Sequence, residues 1–207
     1  MSTPNRARQA VVAAYRALGR AGLIHGSSGN VSVRSAAGML ISPTGTAPER
    51  ITAAALVEMG LADPAPRASS EWALHAAIYL DQPGVGAVVH THADACTALA
   101  CLNLPLPPFH YMLAGFGGAD VRCAPYATFG TPELAALAAQ AMQGRTACLL
   151  ANHGMVAAGP DLDAAVATAE TLERLCRQYL LARAAGEPRL LSEAEMQSAR
   201  ERYRTYG

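Results

Sequence analysis

The sequence contains no lysine, and all 16 of its basic residues are arginine. That absence excludes catalysis through a lysine Schiff base, a lysine-linked pyridoxal cofactor and a phosphate-binding P-loop, each of which needs the ε-amine. Carbonyl chemistry in such a chain needs a metal instead. An excess of one charge sign is also missing, because the 16 arginines are matched by 16 acidic residues. Nucleic-acid-binding domains usually carry a strong basic excess, so no nucleic-acid partner is expected and small molecules are. No run of 18 or more apolar residues occurs, nor a charged-then-apolar leader with a cleavage signature, so neither membrane spanning nor secretion is expected. Cysteines are few, at five, odd in number and without a CxxC pair, which argues against a disulfide framework and a cysteine zinc ribbon. A reducing, cytoplasmic setting follows. Acidic residues are absent before Glu49, whereas Arg6, Arg8, Arg16, Arg20 and Arg34 precede it, as in a transit peptide. Val11, Ala14, Tyr15 and Leu18 nevertheless form an ordinary helical stripe, and that reading is adopted here.

What is present is ample apolar material: 51% of 207 residues are hydrophobic, enough for one well-buried domain over residues 1–207. After the first helix, GLIHGSSGNVSVR reads as a Gly/Ser loop entering an alternating strand, and GMLISPTGTAP as a strand ending in a Pro-Thr-Gly turn. ADPAPRASS is linker-like but too short to divide the domain. EWALHAAIYLDQPG reads as a helix capped by Ser69 or Ser70 and ended by Pro-Gly. GVGAVVHTH is a short β-branched strand, followed by the helix-like ADACTALACLN. TPELAALAAQAMQG is a helix starting on Thr131 with Pro132 in its first turn, and TACLLANHGMVAAG is a strand, a polar break and a second strand. A helix over 161–184 carries Leu162, Val166, Ala169, Leu172, Leu175 and Tyr179 on one stripe, and Ser192-x-x-Glu195 is a capping box opening the last helix. Helices and strands are mixed throughout, so the class is α/β, a sheet covered by helices.

Three of the six histidines fall at strand or strand-end positions. His90 and His92 stand two residues apart, so a strand projects both from one face, roughly 6.5 Å apart along the chain. Such a pair is equally at home on a solvated face. His153, in the polar Asn-His-Gly break, supplies a third imidazole, and three neutral imidazoles suit a catalytic zinc that keeps a position open for substrate. Glu71 starts a helix after two serines, where a carboxylate also simply stabilises the helix N-terminus. His75 shares the helix face of Glu71, but Leu74, Ala76 and Ala77 around it point to a core histidine with a backbone partner. His25 and His110 sit beside loops with no second ligand nearby and are left out of the metal set. The loops GSSGN, SPTGT and ASSE each offer backbone N–H groups and short hydroxyls. Each alone is an ordinary turn, but together they can hold a phosphate without lysine.

SSGNVSVR, ISPTGT, SSEWALHAA, AVVHTHADACTALA, HYMLAGFGG, CAPYATFGT, NHGMVA and YRTYG, in that order over nearly the whole chain, resemble the class II aldolase/adducin family, most closely its L-fuculose-phosphate aldolase branch. The resemblance implies a single-domain three-layer α/β fold, with a central, mostly antiparallel or mixed sheet between α-helices. It implies a metal-dependent aldehyde-lyase that is a homotetramer with sites at subunit boundaries. His90, His92 and His153 match its zinc ligands, and Glu71 matches a fourth ligand that leaves the metal to act as acid/base; another divalent transition metal is possible. Gly29, Asn30, Thr44, Gly45, Ser69 and Ser70 match its phosphate-binding positions. Tyr111 matches a tyrosine from a neighbouring subunit that handles the proton on the aldehyde oxygen. Phe129 and Tyr206 match residues shaping the aldehyde side. The implied reaction cleaves a ketose 1-phosphate, a phosphorylated sugar, to dihydroxyacetone phosphate and an aldehyde. Two departures bear on the aldehyde: Phe116 adds bulk near the position expected to meet it, and the tail beyond Tyr206 is short. L-lactaldehyde is the aldehyde expected first, and a 5-deoxy- or 5-methylthio-pentulose 1-phosphate satisfies the same catalytic set.

Three rivals remain open. A sugar-phosphate 4-epimerase of the same superfamily tends to carry SSD where this chain has SSE. A sugar-acid phosphate decarboxylase shares the zinc set, and sequence alone does not separate it. A non-catalytic, adducin-like interaction domain has no need of the three histidines and Glu71.

Overall fold

The structure is a computed structural model and describes residues 3–203. Seven strands form one mixed sheet: β1 (Gly29–Ser35), β2 (Gly38–Ile41), β3 (Val57–Met59), β4 (Ala87–Thr91), β5 (Cys123–Ala124), β6 (Ala147–Leu150) and β7 (Gly154–Gly159). Their order is β3-β2-β1-β4-β7-β6-β5, antiparallel at every junction except the parallel β5–β6 pair. Helices α1 (Thr3–Arg20), α2 (Trp72–Asp81), α3 (Asp94–Ala100), α4 (Pro132–Met142), α5 (Leu162–Ala185) and α6 (Glu193–Tyr203) complete the expected α/β architecture.

Strand alternation divides the core in two. Val31, Leu40, Ala87, Val89, Leu149, Met155 and Ala157 point to the face covered by α1, α3 and α5. Met39, Ile41, Val88, Cys148, Leu150, Val156 and Ala158 point to the face covered by α2 and α4. The stripe of α1 lies in the first cluster, with Val11, Tyr15 and Leu18 buried. The Tyr15 hydroxyl bridges the carbonyls of Gly29 (3.0 Å) and Thr46 (2.9 Å), so this helix also ties together two of the Gly-containing loops.

Most helix ends follow their local signals. Thr131 Oγ1 accepts from Leu134 N at the start of α4, and Asp161 Oδ1 from Ala164 N at the start of α5. The Ser192/Glu195 capping box closes in both directions, at 2.7 and 3.3 Å. The start of α2 differs from expectation. Its N-cap is Glu71, without a side-chain cap, while Ser69 Oγ accepts from the Glu71 N–H at 3.2 Å. The serine therefore holds the residue before the helix, and the helix begins one position later than a serine cap would start it.

Candidate functional site

The site is built around the central strand β4, which is buried along its whole length. Alternation turns His90 to the α2 side with Val88, and His92 follows immediately beyond the strand. The two Nε2 atoms lie 3.1 Å apart, so the i, i+2 spacing produces the expected proximity. His153 comes from the turn between β6 and β7, and its ring centroid stands 4.9 and 4.8 Å from those of His90 and His92.

Each residue of Asn152-His153-Gly154 has a distinct part in that turn. Asn152 adopts a left-handed conformation (φ 54°), which asparagine tolerates better than most residues. Gly154 opens β7, where an added Cβ would sit 2.4 Å from the Thr91 carbonyl oxygen and 3.0 Å from His92 Cδ2. A Gly154→Ala protein must displace the end of β4 and His92 just beyond it. Overpacking of this kind costs about 1–3 kcal/mol, so Tm should fall by roughly 3–10 °C in a thermal scan. Calorimetric titration should show metal affinity reduced at least tenfold.

Glu71, 7% exposed, closes the cluster from the start of α2. Its Oε2 lies 2.9 Å from His90 Nε2, and its Oε1 lies 3.3 Å from His153 Nε2. Oε1 is buried without a hydrogen-bond partner. One ligand atom from each of Glu71, His90, His92 and His153 falls within 4.8 Å of the others. A tetrahedral ion bound at 2.0–2.1 Å separates its donors by about 3.3 Å, so this set fits a divalent cation with little rearrangement. His90 Nδ1 donates to the Met155 carbonyl at 2.9 Å, which leaves the Nε2 lone pair facing the cluster.

The electrostatics describe a place made for positive charge. Burial opposes a charge on His90, but the Glu71 carboxylate beside it prevails and raises the imidazole pKa above its ordinary value. Burial likewise opposes charge on Glu71, yet His90, then His153 and Asn30, hold its carboxyl well below the usual range. His92 and His153 are pushed down to about 4, first by burial and then by His90.

A cavity of about 340 Å³ opens over the cluster. Gly29, Asn30, Thr44, Gly45, Ser69 and Ser70 all line it, together with Glu71, His92, His153 and Phe129, while His90 is buried beneath. No arginine is among the lining residues described, so an anion there meets N–H groups and hydroxyls. Some of these are already engaged: Thr44 N–H donates to Arg67 O at 3.0 Å, leaving its hydroxyl for a ligand. The Asn30 amide is committed to Glu71 Oε2 (3.3 Å) and His75 Nε2 (2.5 Å), so it is not free for a phosphate.

Other expectations need correction. His75 is a core residue, but its partners are the side chains of Asn30 and Ser32, 2.7 Å away at Nδ1, rather than backbone. Phe116 does not face the cavity. It ends a 3-10 turn, Tyr111–Phe116, that directs Leu113, Ala114 and Phe116 into the core and leaves Tyr111 55% exposed. Tyr111 packs beside Tyr203 of α6 and does not line the cavity of its own chain. Tyr206 lies outside the described residues. His25 and His110 stand apart from the cluster, and His25 has the Asp94 carboxylate 4.0 Å away. Sequence reasoning passed over Ser27, Ser28, Tyr126 and Asn152, which also line the cavity. All four sit inside the Gly/Ser, PYATFG and NHG segments singled out above, so position within those segments was the available signal.

Residues 9–180 match the family described as Class II Aldolase and Adducin N-terminal domain. The chain is 45% identical over 203 residues to a 5-methylthioribulose-1-phosphate/5-deoxyribulose-1-phosphate aldolase of Rhodospirillum rubrum, covering 97% of this chain and 92% of that protein. It is 44% identical over 192 residues to an L-fuculose phosphate aldolase of Escherichia coli O6:H1, covering 91% and 89% respectively. A solved L-fuculose 1-phosphate aldolase superposes with a TM-score of 0.90 at 37% identity, over 99% of this chain and 98% of that one. The chain therefore belongs to the class II aldolase/adducin family.

Proposed function

We propose that the protein is a metal-dependent aldolase that reversibly cleaves a ketose 1-phosphate to dihydroxyacetone phosphate and an aldehyde. One observation carries this reading: three imidazoles and a carboxylate converge beneath a cavity rimmed by Gly29, Thr44, Gly45 and Ser70, in a chain that has no lysine. Zinc, or another divalent transition ion held by His90, His92 and His153, would supply the Lewis acidity that offsets negative charge on the substrate as its C3–C4 bond breaks.

The chain's own groups do the rest. Gly29, Thr44, Gly45, Ser69 and Ser70 hold the phosphate at one end of the cavity and fix where C3 sits, while Asn30, which lines the same end, spends its side-chain amide on Glu71 and His75. Glu71 moves the proton at C3. Tyr111 exchanges a proton with the oxygen of the departing aldehyde; its absence from the cavity of its own chain fits a contribution from a neighbouring copy in a homotetramer. Phe129, 65% exposed at the cavity rim, and Tyr206 shape the aldehyde side. L-Fuculose, 5-deoxyribulose and 5-methylthioribulose all end in a carbon without a hydroxyl, and Tyr126, Ala127 and Phe129 offer an apolar wall to such an end. A 5-deoxy- or 5-methylthio-pentulose 1-phosphate is accordingly as good a substrate as L-fuculose 1-phosphate. The setting proposed is the cytoplasm.

The test follows dihydroxyacetone phosphate in deuterated water by NMR, with metal-loaded protein, with and without chelator, and with no aldehyde present. Loss of one C3 proton signal only when metal is bound is expected. Persistence of that signal with loaded protein would overturn the aldolase reading in favour of the epimerase, decarboxylase or binding alternatives.

A further inference from the structure

β1 and α2 meet along a ladder of polar side chains inside the core. Two strand residues advance about 6.6 Å and four helix residues about 6.0 Å, so the two repeats stay in step over several rungs. Asn30, Ser32 and Arg34 on the strand thereby meet Glu71, His75 and Tyr79 on the helix segment. Asn30 contacts Glu71 and His75, Ser32 contacts His75 and Tyr79, and Arg34 contacts Tyr79. His75 and Ser32 are fully buried, and Tyr79 is 1% exposed.

The direction of every hydrogen bond follows from one end. The Asn30 amide sets its Nδ2, which can only donate, against Glu71 Oε2 (3.3 Å), and its Oδ1, which can only accept, against His75 Nε2 (2.5 Å). His75 Nε2 must then donate, which makes Nδ1 an acceptor of the Ser32 hydroxyl proton at 2.7 Å. With its proton used, Ser32 accepts from the Tyr79 hydroxyl at 2.8 Å. Arg34 anchors the far end, with its guanidinium 4.7 Å over the Tyr79 ring and Nη2 donating to the Tyr79 carbonyl. Reversing the chain would set the Asn30 oxygen against the carboxylate.

We infer that His75 is a positioning residue, fixed as its Nε2–H tautomer, that orients Asn30 so that Asn30 grips Oε2 of Glu71 and leaves Oε1 as the oxygen available for proton transfer. This rests on the proton-transfer role proposed for Glu71. Oε2 is engaged by both Asn30 and His90, whereas Oε1 makes no hydrogen bond and has the His153 imidazole 3.3 Å away. Groups that orient a metal-site residue in this way typically contribute 10–100-fold to activity.

Two measurements on metal-loaded protein test the inference. Long-range proton–nitrogen NMR with 15N-histidine labelling should show His75 protonated at Nε2 and bare at Nδ1. An Nδ1–H tautomer or a doubly protonated ring overturns the chain, whatever the enzyme's activity. His75→Phe should slow proton exchange on dihydroxyacetone phosphate about 10–100-fold, with one ion still bound per chain and KM changed less than about threefold. His75→Gln, which keeps a donor toward Asn30, should restore most of the rate. Equal rates for wild type and a folded His75→Phe protein overturn the positioning role. If the wild type itself exchanges no proton, the aldolase proposal has failed, and the tautomer readout still decides the chain.

Discussion

On the proposed mechanism a Glu71→Gln protein should keep its metal ion and lose exchange of the C3 proton of dihydroxyacetone phosphate by about 10²–10⁴-fold, the range removed with a general acid/base. Three imidazoles remain to hold the ion. The new amide is nearly isosteric with the carboxylate, and its oxygen can still accept from Asn30 Nδ2, so the fold should be undisturbed. Metal content measured on protein purified without a tag, together with the NMR exchange assay, checks both halves of the expectation. Retained exchange would refute the assigned role. Loss of exchange together with loss of the ion would make Glu71 a ligand first.

Metal uptake should release one proton per chain between about pH 5 and 6, above the His92 and His153 values and below the raised His90 value, although three histidines take part. His92 and His153, pushed down to about 4, are already neutral there, and Glu71 is already ionised. His90 alone, its pKa raised by Glu71, carries a proton that the ion must displace. The apparent affinity therefore rises about tenfold per pH unit over that window and levels off above the His90 pKa. Calorimetry in buffers of different ionisation enthalpy counts the protons; a count near three would contradict this electrostatic picture. In Glu71→Gln, burial prevails at His90 and the count should drop below one. At an ion concentration of 1,000 Kd the bound state gains about 4 kcal/mol, so chelation should lower Tm by roughly 8–16 °C.

Strongly periodic or clearly punctuated stretches were legible from the sequence. The α5 stripe, the Thr131-Pro132 start of α4 and the Ser192/Glu195 box each state their structure within a few residues. β3 and β5, of three and two residues, are too short to show alternation and exist because a neighbouring strand pairs with them. The turn Tyr111–Phe116 shows the same limit: LAGFGG suggests bulk near a ligand, but only the fold decides that Phe116 faces inward. At the site, the residue types that converge were readable because HTH and NHG place polar groups at strand ends. The partners of His75 were not, since Asn30 and Ser32 lie 45 and 43 residues away. A buried imidazole announces that it needs partners and leaves open which ones.

The pairing of β4 with β7 has a consequence for how the chain is made. His90 and His92 leave the ribosome about 60 residues ahead of His153, which takes about 3–12 s at ordinary synthesis rates. Throughout that interval β4, an Ala-Val-Val strand destined for the middle of the sheet, has β1 on one side and an open edge on the other. A chain that pairs β1 with β4 before β7 is made would present two of the three imidazoles beside an unprotected edge of the kind prone to aggregation. The β6–β7 hairpin covers that edge and carries the third imidazole, so completing the sheet and completing the candidate metal cluster would be one step of folding.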